Sequence, residues 1–177
     1  TLDLEWNETK KLIYFYGIAS GMAYLHSHDI IHRDLKPESI LLDKQLHPRI
    51  SNFLIAKKIN NKTIFKSRKI KGTPAYLAPE IYLKCGYSKS SDVYSFGLLM
   101  YEILTLKKPF ENINSPKGIK KAICDEKIRP SIPKNISEPY RNLIERCWSQ
   151  DTKLRPAFKE IVNELKTNSS FITNEIE

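Results

Sequence analysis

The sequence predicts a mainly α fold, α+β in class, with about six helices and a short β hairpin, and three observations carry that reading. Leu12, Phe15, Tyr16, Ala19, Met22, Ala23 and Leu25 recur at spacings of three and four, the pattern of a helix over 9–28 with one buried face. The run SDVYSFGLLMYEILTL from Ser91 to Leu106 is apolar on almost every side, so it belongs in the interior rather than on a surface. Between the two, residues 29–51 break into short apolar runs, Ile30-Ile31, Ile40-Leu41-Leu42 and Ile50, with Pro37 and Pro48 excluding a helix.

In chain order, the first helix is followed by a loop and two short strands. Residues 52–75 are polar, lysine-rich and aperiodic, a long loop of the functional or mobile kind. A short helical stretch is expected over 78–84, after Pro79. The apolar helix at 91–106 has Ser90, Ser91 and Asp92 as candidate caps. Three helices follow, at about 116–126, 137–149 and 156–166, with Pro156 suited to the first turn of the last. From Thr167 to Glu177 the chain is polar apart from Phe171, Ile172 and Ile176, and is expected to fray.

A length of 177 residues suffices for one domain with a core. Hydrophobic residues make up 41% and charged residues 28%, a balance that excludes a disordered or fibrous chain. The formal charge of +9 admits nucleic acid, an anionic membrane or acidic proteins as partners, and charge alone does not choose among them. Cys85, Cys124 and Cys147 are odd in number and far apart, which fits neither a disulfide framework nor a zinc site and favours a reducing compartment. No apolar run reaches the roughly 18 residues of a membrane span. The six glycines are spaced so that no glycine-rich phosphate cradle can be written in this chain. It begins with Thr1 rather than methionine, as a piece of a longer protein would.

The stretch His32-Arg33-Asp34-Leu35-Lys36-Pro37-Glu38-Ser39 resembles the catalytic loop of protein kinases, H-R-D-L-x-x-x-N. Further markers follow in the family's order: Ala78-Pro79-Glu80, Asp92 at the start of an apolar helix, Cys147-Trp148 and Arg155-Pro156. The chain is therefore similar to the large, mainly helical C-terminal lobe of a protein kinase, without the small N-terminal lobe. Lys36 and Gly72-Thr73-Pro74 resemble the serine/threonine type, and the run from Cys147 to Pro156 resembles the tyrosine-kinase-like group. The resemblance makes 1–166 a partial kinase domain and 167–177 a disordered polar tail.

The resemblance implies a role for each matching residue. Asp34 would be the base for a substrate hydroxyl, with Lys36 and Thr73 beside it; Arg33 would pair with a phosphorylated Ser67 or Thr63. Glu80 and Arg155 would form a buried ion pair, Asp92 would accept backbone N–H groups of the catalytic loop, and His32 and Phe53 would pack. ATP and magnesium are the implied cofactors, with Leu41 on the adenine side. At the two metal-ligand positions, however, stand Ser39 in place of asparagine and Asn52 in place of aspartate, in the triplet Asn52-Phe53-Leu54. Magnesium prefers hard, charged oxygens, so losing its carboxylate weakens the site, and each ~1.4 kcal/mol is tenfold in rate. A leucine forced into the positive-φ conformation of the family's glycine would add strain at Leu54.

The expectation is a catalytically impaired, cytoplasmic kinase-like lobe that needs no cofactor of its own and acts in signalling by binding or scaffolding. Its cleft face, formed by Ile40, Leu41, Leu42, Phe53 and His32, would be covered by a protein partner or by the small lobe. The first alternative is a truncated record of an active ATP-dependent serine/threonine kinase. The second is a basic surface for nucleic acid or anionic partners built on Lys66-Ser67-Arg68-Lys69-Ile70-Lys71, although no specific nucleic acid is expected.

Overall fold

The computed structural model describes residues 7–60 and 63–171. Asn7 opens the first helix, α1 (Glu8–Ser27), by accepting the Lys10 N–H at 2.9 Å. A two-residue strand β1 (Ile30–Ile31) follows, then β2 (Ile40–Leu42) and β3 (Pro48–Ile50), which pair antiparallel with Ile40 opposite Ile50. That hairpin seats directly on α1, where Gly17 and Gly21 leave room for it: a Cβ on Gly17 would lie 2.5 Å from Pro48 Cγ. Gly17→Ala is therefore expected to overpack this contact and cost about 1–3 kcal/mol, read by urea unfolding.

The stretch expected to be one long loop, 52–75, carries more structure than its composition announced. Phe53–Ile55 forms a 3-10 turn, β4 (Lys57–Lys58) pairs antiparallel with β1, and Phe65 bridges Tyr87. A strand of two lysines has no apolar alternation; its backbone pairing with buried Ile31 makes it.

After α2 (Pro79–Tyr82) the central helix α3 (Lys89–Thr105) runs through the core, with Ser91 through Tyr101 all buried. Its cap is Ser88, not Ser90, Ser91 or Asp92: Ser88 Oγ accepts the Ser91 N–H, and Ser91 Oγ accepts the Ser88 N–H at 3.1 Å. The Asp92 carboxylate instead accepts backbone N–H groups of the loop that follows β1. The stretch expected at 116–126 is α4 (Pro116–Lys120) continuing into a π-helical turn, Lys121–Asp125. The last two helices are α5 (Glu138–Cys147) and α6 (Phe158–Thr167). Pro156 lies outside α6, whose N-terminus is instead closed by Glu160 accepting the Ala157 N–H at 2.6 Å.

Edge-to-face aromatic pairs run through the core and join these helices. Phe15 of α1 meets Phe96 of α3 and Tyr140 of α5; Phe96 meets Phe158 of α6. Phe171, expected in the fraying tail, ends this series: it is buried in a 3-10 turn (Ser169–Phe171) with its ring 4.9 Å from that of Tyr140. Enough apolar area is covered there to hold the chain, and the rest of that tail, 172–177, lies outside the described residues. Among the described residues no helix is long and apolar enough to cross a membrane.

Candidate functional site

The His32–Ser39 stretch leaves β1 and turns sharply, with Arg33 in the left-handed region at φ 73°. A bulky residue there is strained, and Asp92 supplies the compensation. Its Oδ2 accepts the His32 N–H at 2.8 Å and its Oδ1 the Arg33 N–H at 2.9 Å, while the His26 ring sits 2.9 Å from Oδ2. Asp92 is itself buried at the start of α3, so a helix embedded in the core holds the loop.

His32 is fully buried, and its hydrogen bonds define its tautomer. Nε2 lies 2.8 Å from the Ser51 carbonyl and must donate, which leaves Nδ1 to accept the Asp34 N–H at 3.3 Å. The ring is thus a neutral bridge between the loop and the end of β3.

Around the Asp34 carboxylate, four donors from this chain converge. Oδ1 accepts the Thr73 N–H at 2.9 Å and the Thr73 hydroxyl at 2.7 Å. Oδ2 accepts the Asn52 side-chain amide at 3.2 Å and faces Lys36 Nζ at 4.0 Å. Thr73 comes this close because Gly72, at φ +111°, has no Cβ; one would lie 2.7 Å from the Arg33 carbonyl. Thr73, 39 residues further along the chain, is therefore brought to Asp34 and Lys36, and Asn52 joins them.

Ser39 is also buried, but its hydroxyl donates to the Asp34 backbone carbonyl at 2.7 Å. Its one proton braces the loop. Asn52, not Leu54, takes the left-handed conformation after β3, at φ 61° and ψ 51°, which corrects the expectation of strain at Leu54. Asparagine tolerates that region, and Leu54 sits in the 3-10 turn with 90% of its surface exposed.

The Arg33 guanidinium is 4.1 Å from the Tyr87 ring centroid and 5.1 Å from that of Phe65, and its Nη1 donates to the Ile55 carbonyl at 3.0 Å. Its Nε and Nη2 are buried without a hydrogen-bond partner. The Ser67 hydroxyl donates to the Lys69 carbonyl. Tyr87 was not singled out by the sequence, yet its hydroxyl accepts the Lys71 N–H at 2.6 Å and donates to the Lys71 carbonyl at 2.7 Å, pinning the segment that leads to Thr73. A tyrosine beside a positive-φ glycine, Gly86, was the one available signal. Also unforeseen is a hydrogen bond from Tyr76 to Glu102. Burial, reinforced by the Glu38 charge and partly offset by Tyr76, holds the Glu102 carboxyl above the usual range.

Of the five residues expected on the exposed cleft face, Leu41, Leu42 and Phe53 are exposed, whereas Ile40 and His32 are buried. Ile40 packs into the core cluster, opposite Ile50 in the hairpin, and His32 is drawn in by its own hydrogen bonds. Beside this face a groove of about 770 Å³ lies between α1 and β3, lined by Tyr16, Tyr24, Pro48, Ile50 and Phe53 among others. Away from it, Arg155 donates to both Glu80 carboxylate oxygens, at 2.7 and 2.9 Å.

The family model of the protein kinase domain matches residues 4–165. The chain is 39% identical over 150 residues to the dual specificity protein kinase shkC of Dictyostelium discoideum, covering 83% of this chain and 30% of that protein. It is 35% identical over 172 residues to the probable serine/threonine-protein kinase drkC of the same organism, covering 94% of this chain and 22% of that protein. To its RGS domain-containing serine/threonine-protein kinase A it is 39% identical over 164 residues, 89% of this chain and 14% of that protein. The chain thus spans less than a third of the length of these curated relatives.

Proposed function

The chain belongs to the protein kinase domain family, and from that premise we propose that it works in signalling by binding or scaffolding, with phosphoryl transfer impaired. The observation that carries this reading is the state of the two positions where the family holds magnesium. The Ser39 hydroxyl is buried and donates to the Asp34 carbonyl, and the Asn52 amide donates to the Asp34 carboxylate. A short buried hydroxyl and a neutral amide, each already donating to Asp34, do not fit a hard dication that seeks charged oxygens. ATP and magnesium use is what the family implies.

On this reading Asp34, Lys36 and Thr73 keep the geometry of the catalytic loop as a structural bequest. Glu80, Asp92, Arg155, His32 and Phe53 hold the lobe together, and Leu41 belongs to an apolar face that a protein partner or a small lobe covers. The unpartnered Nε and Nη2 of Arg33 support pairing with a phosphate on Ser67. The Cys147–Pro156 run supports the tyrosine-kinase-like group, the free cysteines a reducing, cytoplasmic setting.

A second reading, an active serine/threonine kinase, is favoured by the intact convergence of Lys36 and Thr73 on Asp34 and by relatives named as kinases. Magnesium-dependent nucleotide binding and autophosphorylation of the full-length protein separate the two. We expect no turnover above that of Asp34→Ala; clear turnover lost on Asp34→Ala establishes the enzyme reading instead.

A further inference from the structure

We propose that Asn52 is a positioning residue which fastens the segment after β3 onto the catalytic loop without any cation, a role that rests on the reading that this site does not hold magnesium. Three consecutive loop residues each grip one residue of that segment. Asp34 accepts the Asn52 amide at 3.2 Å, the His32 ring stacks edge-on to Phe53 with centroids 5.4 Å apart, and Arg33 Nη1 donates to the Ile55 carbonyl at 3.0 Å. Between these grips the turn closes on itself through the Ala56 N–H donating to the Phe53 carbonyl at 3.0 Å.

The chemistry of position 52 decides whether this closure stands alone. A carboxylate offers about four acceptor sites. At Asp34 two are taken by Thr73, one by Asn52, and Lys36 stands near the last. An aspartate at 52 would set a second carboxylate against Asp34, and two like charges at hydrogen-bond range repel unless a cation bridges them or one of them takes up a proton. The amide reverses that relation, turning the metal-demanding pair into a donor and an acceptor. The backbone agrees, since Asn52 sits in the left-handed region that asparagine enters more readily than most residues. The 52–55 segment is then held in place at all times, independent of nucleotide or metal, and the neighbouring Leu41, Leu42 and Phe53 keep one fixed presentation.

Hydrogen exchange across 51–58 in the full-length protein tests this, with EDTA or magnesium chloride present, for the wild type, Asn52→Ala and Asn52→Asp. The wild type is expected to exchange equally in both conditions. Asn52→Ala should exchange about fivefold to tenfold faster in both, having lost the donor without gaining a charge. Asn52→Asp should exchange faster in EDTA and recover with magnesium, which a merely structural role would not produce. Wild-type protection that rises with magnesium, or an Asn52→Asp variant indifferent to it, overturns the proposal. Asp34-dependent turnover together with metal-independent wild-type protection would defeat the functional reading and leave the role of Asn52 standing. Absent turnover with magnesium-dependent wild-type protection would do the reverse.

Discussion

Arg155→Ala is expected to lower the unfolding free energy by about 3–5 kcal/mol, enough to remove much of the stability of a marginally stable domain. The Arg155 side chain is fully buried and spends its donors on four acceptors. Nη1 and Nη2 reach the two Glu80 oxygens, Nε donates to the Ser149 carbonyl at 2.9 Å, Nη1 also donates to the Ser90 carbonyl, and the guanidinium lies 5.0 Å from the Tyr94 ring centroid. One side chain thus joins α2, the start of α3 and the turn before α6. Truncating it leaves the Glu80 carboxylate in a poorly solvated site with only the Ser91 hydroxyl still donating to it. Most of the cost is that stranded charge, so the double variant Arg155→Met, Glu80→Leu should lose less than Arg155→Ala alone. Urea unfolding of the three proteins measures the difference. A loss below about 1 kcal/mol for Arg155→Ala, the range of exposed pairs, would show that water reaches the site.

What could be read from the sequence divides along physical lines. α1 and α3 were legible because a buried face, or burial all round, imposes a periodic pattern on 17 or 20 residues at once. The convergence of Asp34, Lys36 and Thr73 was legible only through the resemblance of the motif, because nothing local in either segment reports that 39 residues of chain bring Thr73 back to Asp34. β4 was hidden because its two lysines carry no apolar signal and its register comes from Ile30 and Ile31. Phe171 was misplaced for the opposite reason: one aromatic in a polar run reads as a tail until Tyr140 is known to lie beneath it. The positive φ assigned to Leu54 falls instead at Asn52, two residues earlier, where the side-chain amide reaches Asp34. Tyr87 was missed because its work is done through Lys71 backbone atoms, which no composition reveals.

The loop itself hangs on one carboxylate, and Asp92→Ala should cost about 2–6 kcal/mol, from about 1–3 for each orphaned donor. Two backbone N–H groups, of His32 and Arg33, lose their acceptor together in a buried site, and the His26 ring loses its partner as well. Arg33 is held at positive φ by these bonds, so its backbone is expected to relax, carrying Asp34 away from Thr73 and freeing the Asn52 amide. Asp92→Asn keeps one acceptor oxygen but sets an NH₂ group against an N–H donor, so it should fall between wild type and alanine. The two failures differ in reach. Arg155→Ala should loosen the packing of α2 and α6 while hydrogen exchange at His32 and Arg33 stays slow, whereas Asp92→Ala should release those two amides before the rest of the lobe. Equal exchange at His32 and Arg33 in both variants would mean that the catalytic loop is held by the core as a whole rather than by Asp92.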